Sequence, residues 1–222
     1  MTSPNWYRRL VCSALLWLAG GAATVVICYF WVDRPVAFLV QREEFNKIAL
    51  FKWLTYPPPI VQGWAPVGLA GLILWRWRGP LNRWQLALLM ACVGVILADQ
   101  FRVSLGSVCG RYWPETWTHN NPSLIGTGAY GFQFYTGSED IGSFPSGHSA
   151  RIAGFAAAWL VFFRRSLPIV AALCLPMLAS LVLMNYHFVG DVVAGSMLGG
   201  LVGVFAAKLA ENGGLGSPPP GV

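Results

Sequence analysis

The amino-acid sequence predicts an all-α membrane protein with about six transmembrane helices. Three observations carry that expectation. Only 11% of the 222 residues are charged and 55% are hydrophobic, where a soluble domain carries roughly 25% charged residues. The apolar residues gather in runs of roughly 20, the length a helix needs to cross about 30 Å of hydrocarbon. The 11 Trp and 7 Tyr suit a chain with two membrane interfaces, where amphipathic rings concentrate.

The first run, residues 10–32, follows Arg8 and Arg9. It is longer than the core of a signal peptide and reads as a retained anchor. Residues 33–59 read as extramembrane. Phe38, Leu39, Phe45, Ile48 and Ala49 recur there at near-helical spacing, so the segment is either an amphipathic helix lying in the interface or an ordinary helical connector. The second span, 60–77, is interrupted by Gln62 and Pro66, and the third covers 84–106. Ser107 to Phe144 is a long segment rich in Gly, Asn, Pro and Trp; loops of that length in compact bundles are usually functional. The remaining spans are 147–163, 167–186 and 188–208. Residues 1–210 form one transmembrane domain on this reading, and 211–222, ending in SPPPGV, form a disordered tail.

Charge sets the orientation. With the N-terminus in the cytoplasm, Arg8, Arg9, Arg76, Arg78, Arg83, Arg164, Arg165 and Lys208 fall inside. Arg34, Arg42, Lys47 and Lys52 fall outside, together with Arg102, Arg111 and Arg151, which belong to a polar site. The excess inside supports this direction, and an even number of spans brings both termini to the cytoplasm. The net charge of +6 does not indicate a nucleic-acid partner, because the basic residues cap apolar runs and form no stripe. The five Cys show no CxxC or metal spacing and read as small buried hydrophobes, with no disulfide or metal implied.

Ionisable residues at membrane depth are costly and mark function. Here they are Asp99, Arg102, Arg111, His148, Arg151, His187 and Asp191, each near the outer end of an expected span. His187 and Asp191 are four apart and share a helix face. A carboxylate there can accept the imidazole Nδ1–H and leave the other nitrogen for nucleophilic work. Metal ligation is the rival, but it needs more ligands and His119 is the only other free imidazole. A structural His–Asp pair is the plain alternative. In PSGH, residues 145–148, Ser146 can cap a helix, Gly147 admits close approach, and His148 stands in the first turn. Such a helix start is an anion site with a proton donor attached, or simply a capped helix. In GRYWPETW, residues 110–117, Arg111 suits phosphate oxygens, or is an interfacial Arg among aromatic anchors.

Together these residues resemble the type 2 phosphatidic acid phosphatase (PAP2) family, whose pattern has three blocks: Lys-x6-Arg-Pro, Pro-Ser-Gly-His and Ser-Arg-x5-His-x3-Asp. The second block is intact at 145–148, the third survives as Ser180, His187 and Asp191, and the first survives as Arg111 with its proline displaced to Pro114. The resemblance covers about residues 60–205. It implies a PAP2-like helical bundle with its site at the outer face, a bacterial inner membrane with that face periplasmic, and no metal or cofactor. It implies His187 as nucleophile, Asp191 as its orienting partner and His148 as proton donor, with Arg111, Ser146 and Gly147 on the phosphoryl oxygens. The implied activity is hydrolysis of a lipid phosphate or diphosphate through a phosphohistidine. Undecaprenyl diphosphate, phosphatidylglycerol phosphate and phosphatidate are candidate substrates. The implied partners are that lipid substrate and the surrounding membrane lipids. Transfer of the phosphoryl group to another lipid uses the same site, and a catalytically degenerate lipid-binding scaffold is the non-enzymatic alternative. Two cations of the pattern are missing. Leu181 stands where the third block has Arg, and Ser104 or Gly106 where the first has Lys. Arg102 and Arg151, otherwise unexplained charges, are expected to replace them in binding phosphate.

Overall fold

The computed structural model describes residues 5–117, 120–135 and 141–213; of the expected disordered tail, 211–222, Glu211 and Asn212 instead end the last helix, and residues from 214 onward lie outside the described ones, as does His119. The described residues are mostly helical and include no strand, and isolated bridges tie together the loop before α7. The elements are α1 (Asn5–Ile27), a π-helical turn (Cys28–Val32), α2 (Asp33–Arg42), α3 (Ala49–Leu54), α4 (Pro57–Arg76), α5 (Arg83–Cys109), α6 (Leu124–Thr127), α7 (Gly147–Phe162), α8 (Leu167–Leu183) and α9 (Val189–Asn212).

Helix boundaries follow from local chemistry. The Asn82 side chain accepts from Gln85 N–H and the Gln85 side chain accepts from Asn82 N–H, both at 3.0 Å, a reciprocal cap for α5. Pro57 to Pro59 sit at the start of α4, where a missing N–H costs nothing. Ser146 caps α7 by accepting from Ser149 N–H.

The protein is an all-α membrane protein with four segments long and apolar enough to cross a bilayer: Trp6–Arg42, Arg83–Cys109, Arg164–Leu183 and Val189–Asn212. Helices also occupy the second and fourth expected spans, but neither meets that measure. Prolines and Gln62 dilute α4, and α7 has only 16 residues. The shortness of α7 goes with its place at the centre, packed against α9 and α5.

The expected helical character of residues 33–59 is seen in α2 and α3, but α2 is not a separate element. It continues the first helix through the π-helical turn, giving 37 helical residues in one run. At 1.5 Å per residue that run is about 55 Å long, well beyond a hydrocarbon core. Asp33, Ala37 and Val40 are buried along α2. The charge that suggests an end to the span, Asp33, is instead held inside by an ion pair.

Glycine sets the packing of the centre. Gly195, Gly199 and Gly203 recur every four residues on α9 and form one stripe. A Cβ at each would collide with main chain of α7 or its cap: the carbonyl oxygens of Ser146, Ala150 and Gly154 respectively. Across the other face of α7, a Cβ on Gly154 would sit 2.8 Å from the Gly94 oxygen of α5. Close backbone approach through small residues is how helices associate in a solvent that offers no hydrophobic drive. Gly199→Leu is therefore expected to cost about 3 kcal/mol, because the obstacle is backbone and cannot rotate away. Gly200→Leu, whose Cβ would meet nothing within 4 Å, should unfold near the wild-type temperature. Thermal unfolding in detergent checks both.

Candidate active site

Every ionisable residue singled out above lies at one end of the bundle. Contributions come from the C-terminal half of α5, the start of α7, the α8–α9 turn and the 110–146 loop. The loop is knitted around Arg111. Its N–H donates to Ile141 O and its carbonyl accepts from Ser143 N–H at 3.1 Å, while Gln133 N–H donates to Gly110 O at 2.7 Å. The α8–α9 turn holds its shape through Asn185, buried with φ of 52°, a left-handed conformation Asn tolerates. The Asn185 amide donates to Ala37 O at 3.2 Å, and Trp117 Nε1 donates to Asn185 O at 3.1 Å. Leu181, which stands in place of the pattern's Arg, is buried, and its carbonyl accepts from Tyr186 and His187 N–H.

These elements enclose a cavity of about 420 Å³. Gly147, His148, His187, Arg102 and Arg151 form its polar wall, and Trp113, Trp117, Asn121 and Tyr186 complete it. The two imidazole rings face each other with centroids 6.0 Å apart. His187 lies against Trp113, centroids 5.2 Å apart. Its Nδ1 is 3.0 Å from Ser143 O. A carbonyl oxygen only accepts, so Nδ1 carries the hydrogen and the neutral ring keeps its lone pair on Nε2. Asp191 is not the direct Nδ1 partner, since its Oδ2 lies 3.9 Å away. That oxygen accepts from Ser143 Oγ at 2.6 Å and from Phe188 N–H at 3.0 Å, so Asp191 reaches the imidazole through Ser143.

The two arginines are held differently. Arg151 pairs with Asp99 Oδ1 through Nε at 2.8 Å and Nη2 at 2.7 Å, and Asp99 Oδ2 accepts from Gln62 at 2.7 Å. Gln62, expected only to interrupt a span, is thus the second partner of this carboxylate. Arg102 donates to Pro145 O at 3.3 Å and Gly142 O at 3.2 Å. Its guanidinium lies over Gly147, where a Cβ would stand 3.0 Å from Nε; a side chain at 147 would push the arginine aside.

Arg111 and Ser146 are not among the residues lining the cavity. Ser146 is fully buried as the cap of α7. Arg111 is fully buried too, with Nη1 donating to Asp191 Oδ1 and Nη2 to Asp33 Oδ2 at 2.6 Å. Aromatic rings surround it: its guanidinium carbon lies 4.4 Å from the Phe188 centroid and 5.1 Å from that of Phe132. Burial works to lower the Arg111 pKa, but Asp191 and Asp33 outweigh it and hold the pKa above its ordinary value. Burial pushes the neighbouring Tyr130 hydroxyl up to about 12, so it remains a donor, to Tyr29 O at 2.6 Å.

Sequence reasoning missed Asp33 and Ser143. Asp33 had one signal. It is a carboxylate at the end of an apolar run, in a chain whose Arg111 lacked an assigned counter-charge. Ser143 meets the imidazole through a main-chain oxygen, which residue type does not reveal, and Asp191 through its hydroxyl. Among the described residues no three or more His, Cys, Asp and Glu gather as a metal site.

The structure is a helical membrane bundle that gathers two histidines and two arginines around one cavity. Residues 84–214 match the family model described as the PAP2 superfamily, and the chain belongs to that family. Its fold is therefore of the phosphatase or phosphotransferase type. No curated protein and no solved structure matches the chain.

Proposed function

We propose that this protein is an integral membrane phosphatase that hydrolyses a lipid phosphate or diphosphate through a phosphohistidine. The observation that carries the reading is the pair of imidazoles, 6.0 Å apart, in one cavity with Arg102 and Arg151. No carboxylate is found among the described residues lining that cavity. Nucleophile, proton donor and cations then share one small volume, where preorganised charge acts strongly.

In the first step His187 Nε2 attacks phosphorus and the bond to the lipid oxygen breaks. His148 gives its proton to that oxygen. In the second step water attacks the phosphohistidine, His148 takes a proton from it, and inorganic phosphate leaves with His187 restored. The Ser143 carbonyl holds the ring in the required tautomer. Arg102, Arg151 and the first-turn N–H groups of α7 hold the phosphoryl oxygens. Trp113, Trp117 and Tyr186 suit the head-group layer, which favours a lipid substrate. The cavity opens to the outer face of a bacterial inner membrane, with both termini cytoplasmic and six helices crossing.

The test is phosphate release by detergent-purified protein from undecaprenyl diphosphate, phosphatidylglycerol phosphate and phosphatidate, with EDTA present. Release should survive EDTA, and Arg102→Ala and Arg151→Ala should each lower kcat by about 10²-fold. A soluble short-chain lipid phosphate added outside intact spheroplasts should be hydrolysed if the cavity faces out. Folded protein that releases nothing from any lipid would favour the lipid-binding scaffold instead. Appearance of the phosphate on a second lipid would identify a transferase.

A further inference from the structure

The first helix ends its apolar run in a buried carboxylate that the reaction steps above do not use. Asp33 is 1% exposed, and Arg111 and Asp191 are fully buried. Asp33 Oδ2 accepts from Arg111 Nη2 at 2.6 Å, and Oδ1 accepts from Gly190 N–H at 2.9 Å, at the start of α9. Asp191 Oδ1 accepts from Arg111 Nη1, and Oδ2 from Ser143 Oγ and Phe188 N–H. All four carboxylate oxygens accept and none donates, which is the pattern of two ionised groups. Two carboxylates against one guanidinium leave the cluster with one net negative charge. That charge sits behind the nucleophile, since Asp191 Oδ2 is 3.9 Å from His187 Nδ1 and Ser143 links the two.

We infer that Asp33 is a positioning residue for His187, acting through Arg111 and Asp191. The inference rests on the reading of His187 as nucleophile. Asp33 does two things. It pins the start of α9 by taking the Gly190 N–H, which fixes the turn carrying His187. It also occupies one side of the Arg111 guanidinium. Without it, Arg111 would fully neutralise Asp191 and the imidazole would lose its nearby negative charge. A negative charge behind the ring favours a proton on it and supports the positive charge it gains when Nε2 bonds to phosphorus. The other charged or titratable groups around the ring are His148 and Arg151 from α7, Arg102 from α5 and Tyr186 from its own turn. The two arginines oppose the effect of the cluster, and Asp99 offsets Arg151 through their ion pair.

The experiment is carbethoxylation of His187 by diethyl pyrocarbonate on the full chain in detergent, followed by peptide mapping across pH. It reports the free Nε2 and needs no substrate. Asp33→Asn should move the pH midpoint of His187 labelling down by about half a unit or more and slow the plateau rate several-fold. Asp33→Asn/Arg111→Gln leaves Asp191 as the single charge and should bring the midpoint back toward wild type. If Asp33→Asn does not fold, the comparison is between Asp33→Asn/Arg111→Lys, with no net charge, and Asp33→Asn/Arg111→Gln, with one negative charge. The first should have the lower midpoint. An unchanged midpoint and plateau in a folded neutral cluster would overturn the inference and leave Asp33 a scaffold residue. With the lipid substrate, Asp33→Asn should lower kcat at least tenfold and leave KM within about twofold. Failure of the wild type to release phosphate sinks the phosphatase reading alone, because labelling of His187 is measured without turnover.

Discussion

His187→Ala is expected to abolish phosphate release, with kcat falling by about 10⁴-fold or more at an unchanged unfolding temperature. The reason is geometric. Among the side chains lining the cavity, His187 is the one whose Nδ1 hydrogen is committed to a carbonyl, leaving Nε2 free to attack. Removing a nucleophile from a working constellation leaves only the residual catalysis of binding and oriented charge. His148→Ala should behave differently. It should lose far more activity on a lipid alcohol leaving group than on p-nitrophenyl phosphate, whose leaving oxygen needs no proton. A brief pulse with ³²P-labelled substrate and an alkaline quench should trap label on the wild type and none on His187→Ala. Label persisting in that variant would sink the phosphohistidine route.

Arg111→Ala should have the largest effect on stability, about 3–5 kcal/mol, because it strands Asp33 and Asp191 in the interior without a counter-charge. An arginine that served only to hold substrate phosphate would affect turnover and leave unfolding alone. Thermal unfolding in detergent therefore separates the two roles. Arg42→Ala, on an exposed pair with Glu43, should be close to neutral by comparison. An Arg111→Ala protein that melts with the wild type would mean that the buried cluster contributes little to the folded state.

Most helices were legible in the sequence because bilayer length and apolar composition constrain them together. The expected span 84–106 lies within α5, and 188–208 lies within α9 apart from its first residue, the N-cap Phe188. The histidine motifs were legible because PSGH and His-x3-Asp set unusual residues beside the ends of apolar runs, although His187 lies in the turn before α9 and not on the helix that carries Asp191. The extension of the first helix was not. A reader of hydropathy stops at the first charge, and Asp33 is charged. Only its distant partner, 78 positions along the chain, makes that charge compatible with a helix interior. Arg111 is ambiguous for a related reason. Its residue type announces an anion without saying which one, and the structure pairs it with two carboxylates. The Ser143 carbonyl left no trace in the pattern, because every residue type supplies the same main-chain oxygen.

The stripe of Gly195, Gly199 and Gly203 has a consequence for how the distance between the two histidines is kept. His148 is the second residue of α7, and His187 lies two residues before the start of α9. Those two helices meet through main-chain atoms, which have no rotamers to change and no methyl groups to gain or lose. Most protein interiors set such spacings with side chains, so compensating substitutions can redraw them. Here the gauge is the bare peptide, and its length has one value. Evolution of a different substrate preference would have to work through the loop and its tryptophans, where dimensions are adjustable, and leave the two imidazoles at their fixed separation.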